Sequence, residues 1–284
     1  MSRQGPPGRH ASPRLAPSDA ALTVRADDDR WSDASTWSGD GLKREVFFFP
    51  SGDDRIYGSI FASNPPRRPY GLILCSSWGI DADRLKWLLP RLAVGMAERG
   101  GVAMLFDFPG HGDSTGASGS LTVEALAGAA RGAAAEASAR YPGLTWIMSG
   151  ASLGASIAAL TAAELGIEHL LLLQPEVDPA AYVRKVARKA KRRTMGMEDT
   201  DTTAFGYPLP RGIIDGKDAD IVAARLQEFR GRAAGIRYSE PPSASSLPGH
   251  IEAVSVPGRW RIAKKSQPEL LEAALAWLEE VTAA

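Results

Sequence analysis

Between Tyr70 and Leu173 the chain alternates two kinds of segment, and this alternation narrows the available folds more than any other feature. Tyr70 to Ser76 (YGLILCS), Val102 to Phe108, Leu144 to Ser149 and His169 to Leu173 are short and largely apolar. Such runs suit strands buried on both faces. Between them, apolar residues recur at helical spacing. Leu85, Leu88, Leu89, Leu92 and Met96 do so within Asp83 to Arg99; an alanine-rich stretch covers Leu121 to Tyr141, and another run covers Ala155 to Leu165. Gly100-Gly101 and Pro142-Gly143 stop the first two. This rhythm predicts βαβ units, hence an α/β fold with a mostly parallel central sheet and helices on both faces. Right-handed crossovers leave few topologies for it.

The flanking segments fit one large domain over residues 43–284. Glu45 to Phe49 and Ile56 to Ala62 read as a hairpin joined by Pro50 to Asp54. After Leu173 the rhythm breaks. A helix-like stretch from Pro179 to Arg193 is followed by a Gly/Pro-rich loop from Phe205 to Gly216, within an insertion over about 175–219. A helix (Asp218 to Phe229), a strand (Ala233 to Tyr238), a strand-like run (Ile251 to Val256) and an amphipathic helix (Pro268 to Val281) complete the pattern. Residues 1–42 carry Pro6, Pro7, Pro13 and Pro17 and no hydrophobic periodicity, which predicts a disordered arm. Arg3, Arg9 and Arg14 precede no apolar segment, so no signal peptide is expected.

Composition excludes some function classes. Lys plus Arg and Asp plus Glu each number 33, for a net charge of zero, which argues against a surface given over to nucleic acid. Cys75 is the only cysteine and no Cys/His set has zinc spacing, so neither a disulfide nor a metal is expected, and no organic cofactor is implied. No apolar run approaches a membrane span, and with no targeting signal the chain reads as cytoplasmic. Histidines are scarce: His10, His111, His169 and His250.

The segment that carries chemistry is Gly150-Ala151-Ser152-Leu153-Gly154, which joins a predicted strand to a predicted helix. G-x-S-x-G in this setting is a nucleophile elbow: a turn so sharp that the serine takes a strained backbone conformation and its hydroxyl stands clear of the sheet. Glycines two residues to either side let strand and helix pass closely. The helix N-terminus favours negative charge, and the Leu153 N–H is placed for a developing oxyanion.

Three stretches together, LILCSSWG (Leu72 to Gly79), DFPGHGDSTG (Asp107 to Gly116) and SGASLG (Ser149 to Gly154), resemble the α/β-hydrolase superfamily of serine-hydrolase type. The resemblance runs from about Arg44 to the C-terminus. It implies a second oxyanion donor after the third strand of the fold, at Ser77 or Trp78, and a triad in the order Ser, acid, His. Glu240 is the nearest match for the acid, with Glu176 and Asp178 as the alternative position. The histidine of such a triad belongs before the last helix, where this chain has Pro257-Gly-Arg-Trp-Arg-Ile262 and no histidine. His250 has the right order and is displaced by about ten residues; His111, in the PGHGDS loop, is the other candidate base. His169 reads as a packing residue, and Cys75 as a buried hydrophobe. Shorter segments (CSSWGIDADR, QPEVD, GYPLP, PGRWRI) resemble bacterial hydrolases associated with the exosortase system, which makes tryptophan at the histidine position a shared trait and implies acyl or thioester hydrolysis.

Arg184, Lys185, Arg188, Lys189, Lys191, Arg192 and Arg193 cluster on the helix-like stretch opposite an apolar stripe of Val183, Val186, Ala187 and Ala190. In the resembled fold an insertion here is a cap over the nucleophile. Its cations suit solvent or an anionic partner such as an acyl-carrier protein or coenzyme A. No aromatic platform accompanies them, so nucleic acid is not expected. Two functions follow: a serine esterase or thioesterase acting through an acyl-enzyme on Ser152, or a catalytically degenerate relative that binds an acyl group or carrier protein through its basic cap.

Overall fold

A computed structural model describes residues 23–25, 34–39, 41–194, 202–240, 247–259 and 267–283. Strands β1 (Thr23–Arg25), β2 (Ala34–Gly39), β3 (Leu42–Ser51) and β4 (Asp54–Ser63) form an antiparallel wing. The chain then alternates: β5 (Tyr70–Cys75), α1 (Ile80–Leu85), α2 (Leu88–Glu98), β6 (Val102–Phe106), α3 (Val123–Arg140), β7 (Thr145–Ala151), α4 (Leu153–Leu165) and β8 (His169–Leu173). An insertion follows, with α5 (Pro179–Thr194), the paired two-residue strands β9 (Thr203–Ala204) and β10 (Tyr207–Pro208), α6 (Arg211–Ile214) and α7 (Asp218–Glu228). Strands β11 (Arg232–Glu240) and β12 (Glu252–Arg259) and helix α8 (Pro268–Ala283) close the chain. The main sheet runs β1-β2-β3-β4-β6-β5-β7-β8-β11-β12, parallel from β6 onward.

The apolar runs are buried because each face of the sheet meets a helical layer. Along β5, Leu72 and Leu74 face the layer of α1, α2 and α8, while Ile73 and Cys75 face that of α3, α4 and α5. Strand β8 alternates in the same way: Leu171 faces the first layer, and Leu170 and Leu172 the second.

Two expectations are corrected. The arm is not structureless up to residue 42, because β1 and β2 extend the sheet edge before β3. The helix expected over Asp83 to Arg99 is two helices that break at Lys86-Trp87. Pro90 explains the break: its ring would clash with the carbonyl of Lys86 in a continuous helix, whereas it fits the first turn of a new one. The strand-like run Ile251 to Val256 falls largely in β12, the last strand of the sheet, which pairs in parallel with β11. This fixes which edge of the sheet its flanking residues occupy.

Leu171 and Leu172 are fully buried on opposite faces of one strand. Each replaced by Ala is expected to lower the unfolding free energy by about 2–5 kcal/mol, read as a shift in denaturant midpoint at constant slope.

Candidate active site

The loops that leave the carboxyl ends of the parallel strands meet where the strand order reverses. From β5 the chain crosses to β6 on one side, and from β6 it crosses back to β7 on the other. A crevice at such a point is where open α/β sheets bind ligands.

Ser152 sits between β7 and α4 with φ 53° and ψ −119°, one of three non-glycine residues with positive φ among the described residues. An L-residue holds that conformation only when its surroundings impose it. Its N–H donates to the Leu173 carbonyl at 2.9 Å, and its own carbonyl accepts from Ala155 N at 3.1 Å. The flanking glycines are required by contact: a Cβ on Gly150 would lie 2.0 Å from the Gly154 carbonyl oxygen, and one on Gly154 would lie 1.7 Å from that of Ser76.

This close approach brings the start of α4 against the loop after β5. Leu153 N donates to Ser77 Oγ at 3.3 Å. Ser77 Oγ lies 3.2 Å from the hydroxyl of Tyr182, which comes from α5 and also lies 3.2 Å from the Trp78 carbonyl. Ser152 Oγ donates to Asp81 Oδ2 at 2.9 Å, and Tyr182 OH donates to the same oxygen at 3.0 Å. Arg84, one turn further along α1, forms an ion pair with Asp81 Oδ1. Ser77, Asp81, Arg84, Ser152 and Tyr182 are all buried. Burial and the nearby Asp81 charge hold the Tyr182 phenol well above the usual tyrosine range, so it stays a neutral donor. Lys189, half-buried on α5, binds its proton less tightly than an ordinary lysine, because of burial and the charges of Arg84 and Arg193.

A cavity of about 360 Å³ adjoins this cluster, with Ser77, Leu85, Phe108, His111 and Tyr207 in its lining. Tyr207 OH donates to Asp83 Oδ2 at 2.8 Å.

The structure brings some of the sequence-predicted residues together and separates others. Ser152, Leu153 and Ser77 meet as described. Trp78 is fully buried, edge-to-face with Tyr207 at 6.4 Å, a wall of the site. His250 does not reach Ser152. It precedes β12 at the amino-terminal edge of the sheet, opposite the edge where Ser152 lies, and its Nε2 is 3.1 Å from the Leu226 carbonyl. His169 opens β8 at that same edge, packed on Tyr70 at 6.3 Å. His111 lies at the correct edge; its Nδ1 is 3.0 Å from the Pro109 carbonyl, and burial lowers its proton affinity. Glu240 ends β11 at the Ser152 edge. Glu176 pairs with Lys185 at 2.5 Å, and Asp178 Oδ1 accepts from Ala181 N at 2.8 Å in the first turn of α5. Among the described residues no histidine forms a hydrogen bond with either carboxylate. Trp260 and the residues after it up to 266 lie outside the described residues. Cys75 is buried and its thiol is pushed up, as suits an inert side chain.

Sequence reasoning missed Asp81, Arg84 and Tyr182. A signal existed for each: an acid and a base one helical turn apart straight after the oxyanion loop, and a lone tyrosine on the apolar side of an otherwise basic helix.

No family model matches the chain, and no curated protein matches it. Solved structures do resemble it. Est1E from Butyrivibrio proteoclasticus, with ferulic acid bound, superposes with a TM-score of 0.62 at 17% identity over 84% of this chain and 100% of that one. A 2-hydroxy-6-oxo-6-phenylhexa-2,4-dienoate hydrolase from Rhodococcus sp. strain RHA1 gives 0.53 at 14% identity over 86% and 100%. The thioesterase domain from the curacin biosynthetic pathway gives 0.51 at 16% identity over 85% and 99%. The chain has the α/β-hydrolase fold, with a mostly parallel central sheet and helices around it.

Gly154→Ala is expected to cost at least about 3 kcal/mol, because the clash is with backbone and cannot be relieved by a side-chain shift. Thermal melting checks this; Gly249→Ala, where the space is open, serves as the tolerated control.

Proposed function

We propose that this chain is an acyl hydrolase in which Ser152 attacks an ester or thioester carbonyl, forms an acyl-enzyme and is released by water. The observation that carries the reading is the strained Ser152 backbone at a strand–helix junction, with its hydroxyl donating to a buried carboxylate. A left-handed serine is costly, and such strain persists where the surroundings over-determine it. Leu153 N–H is the oxyanion donor, once substrate displaces Ser77 Oγ from it; a second N–H comes from Ser77 or Trp78. Removal of one such donor typically costs about 3–4 kcal/mol of transition-state stabilisation. The solved structures that share the fold include Est1E with ferulic acid bound and a thioesterase domain, which supports the acyl class. So do the short segments that resemble exosortase-associated hydrolases.

The insertion between β8 and β11 is read as a cap, since α5 inserts Tyr182 beside Asp81. Arg188, Lys191, Arg192 and Arg193 are exposed on that helix and pair with no acid among the described residues. They suit an anionic leaving group, coenzyme A or an acyl-carrier protein. The second reading, a non-catalytic binder of an acyl group or carrier, is favoured by one fact: none of the three described histidines hydrogen-bonds Ser152.

Ser152→Ala should lower turnover of acyl-coenzyme A and p-nitrophenyl esters by about 10³-fold or more. Equal turnover by the variant would overturn the enzyme reading. Reversing Arg188 and Arg192 to Glu should raise KM for the coenzyme A substrate about tenfold at low salt, with kcat unchanged and the difference shrinking at high ionic strength. An unchanged KM removes the basic helix from substrate binding.

A further inference from the structure

We propose that the Asp81 carboxylate, and not a histidine, takes the Ser152 proton. The inference rests on the reading of Ser152 as the attacking group and adds the identity of its base.

Three observations carry it. The first is contact: Asp81 Oδ2 accepts the Ser152 hydroxyl directly at 2.9 Å, within the reach that general-base catalysis requires. The second is anchoring. Arg84 holds Oδ1 from within α1, while Tyr182, from α5, donates at 3.0 Å to the oxygen that faces Ser152. The carboxylate is thus fixed from two independent elements, which is what an orienting acid does for the histidine of an ordinary triad. The third is elimination among the described residues. His169 and His250 lie at the far edge of the sheet, and His111, whose Nδ1 meets the Pro109 carbonyl and whose Nε2 has no hydrogen-bond partner among the described residues, makes no hydrogen bond to Ser152. Tyr182 is a positioning residue here. Among the described residues, Arg84 from α1 and Tyr182 and Lys189 from α5 are charged or titratable groups that act on Asp81, and Glu176 acts electrostatically on Tyr182.

The step balances as follows. As Ser152 Oγ bonds to the acyl carbon, its proton passes to Asp81 Oδ2. The tetrahedral oxyanion collapses, the bond to the leaving group breaks, and the proton goes from Asp81 to the departing sulfur or oxygen. Water then adds to the acyl carbon and yields a proton to Asp81; the bond to Oγ breaks, and that proton returns to Ser152. The net change is thioester or ester plus water to acid plus thiol or alcohol. A carboxylate is a weaker base than imidazole and assists the attack of the serine less, so this device favours activated acyl groups whose leaving group departs readily. Thiols, which ionise near pH 8.5 when unperturbed, fit better than alkyl alcohols, so thioesters are the substrate class inferred.

The test measures the rate at which a fluorophosphonate labels Ser152, read by intact mass. Between pH 7.5 and 5.5 the wild-type rate should stay within about twofold, whereas a histidine of ordinary pKa would lose about tenfold. Asp81→Asn should slow labelling at least about 10²-fold, and His250→Ala should stay within about twofold of wild type; His111→Gln, in the cavity lining, should keep the flat pH profile of the wild type. Because Asp81→Asn leaves Arg84 buried beside a neutral amide, Asp81→Asn/Arg84→Met is measured alongside it, with melting curves for both. A tenfold fall with acid, or an Asp81→Asn rate equal to wild type in a folded protein, overturns Asp81 as base while Ser152 stands. Complete absence of wild-type labelling overturns the acyl-hydrolase reading beneath it. Faster turnover of an alkyl oxygen ester than of the thioester carrying the same acyl group overturns the substrate class.

Discussion

The site depends on one close approach. Helix α4 begins so near the loop after β5 that no Cβ fits at Gly154, and the end of β7 passes so near the start of α4 that none fits at Gly150. That contact forces Ser152 into the left-handed region, turns Leu153 N–H toward Ser77, and sets the serine hydroxyl against Asp81. Each consequence is local, yet each needs β5 and β7 to be neighbours in the sheet. The parallel core supplies the adjacency, and the glycines convert it into a site.

A second dependency runs through the insertion. Tyr182 sits on the apolar side of α5 among Val183, Val186 and Ala190, so the packing that buries this helix also carries a phenol into the carboxylate cluster. The same helix shows Arg188, Lys191, Arg192 and Arg193 outward. One amphipathic element therefore links a cationic surface to the buried Asp81–Ser152 pair.

Most of the fold was legible because its signals are local. Buried parallel strands have to be apolar on both faces, and β8 is legible as His169 to Leu173 for that reason. Pro90 was present to split the helix before it, but that needs the clash with residue 86 to be considered beside the apolar spacing. The elbow was legible because its glycines and serine are contiguous. The base was not. Order along the chain pointed to His250, whereas function depends on which edge of the sheet a residue occupies, and β12 places His250 at the wrong one. Asp81 and Tyr182 are 101 positions apart, and nothing in either segment alone signals that they meet.

The central claim is that Ser152 becomes covalently acylated. Rapid quenching of the wild type with an acyl-coenzyme A thioester during steady turnover, followed by proteolysis and peptide mass analysis, tests it most directly. The account predicts an adduct of the acyl mass on the peptide that contains Ser152, gained and lost on the timescale of turnover. Turnover with no adduct on that peptide, at times when the substrate is still being consumed, would contradict it.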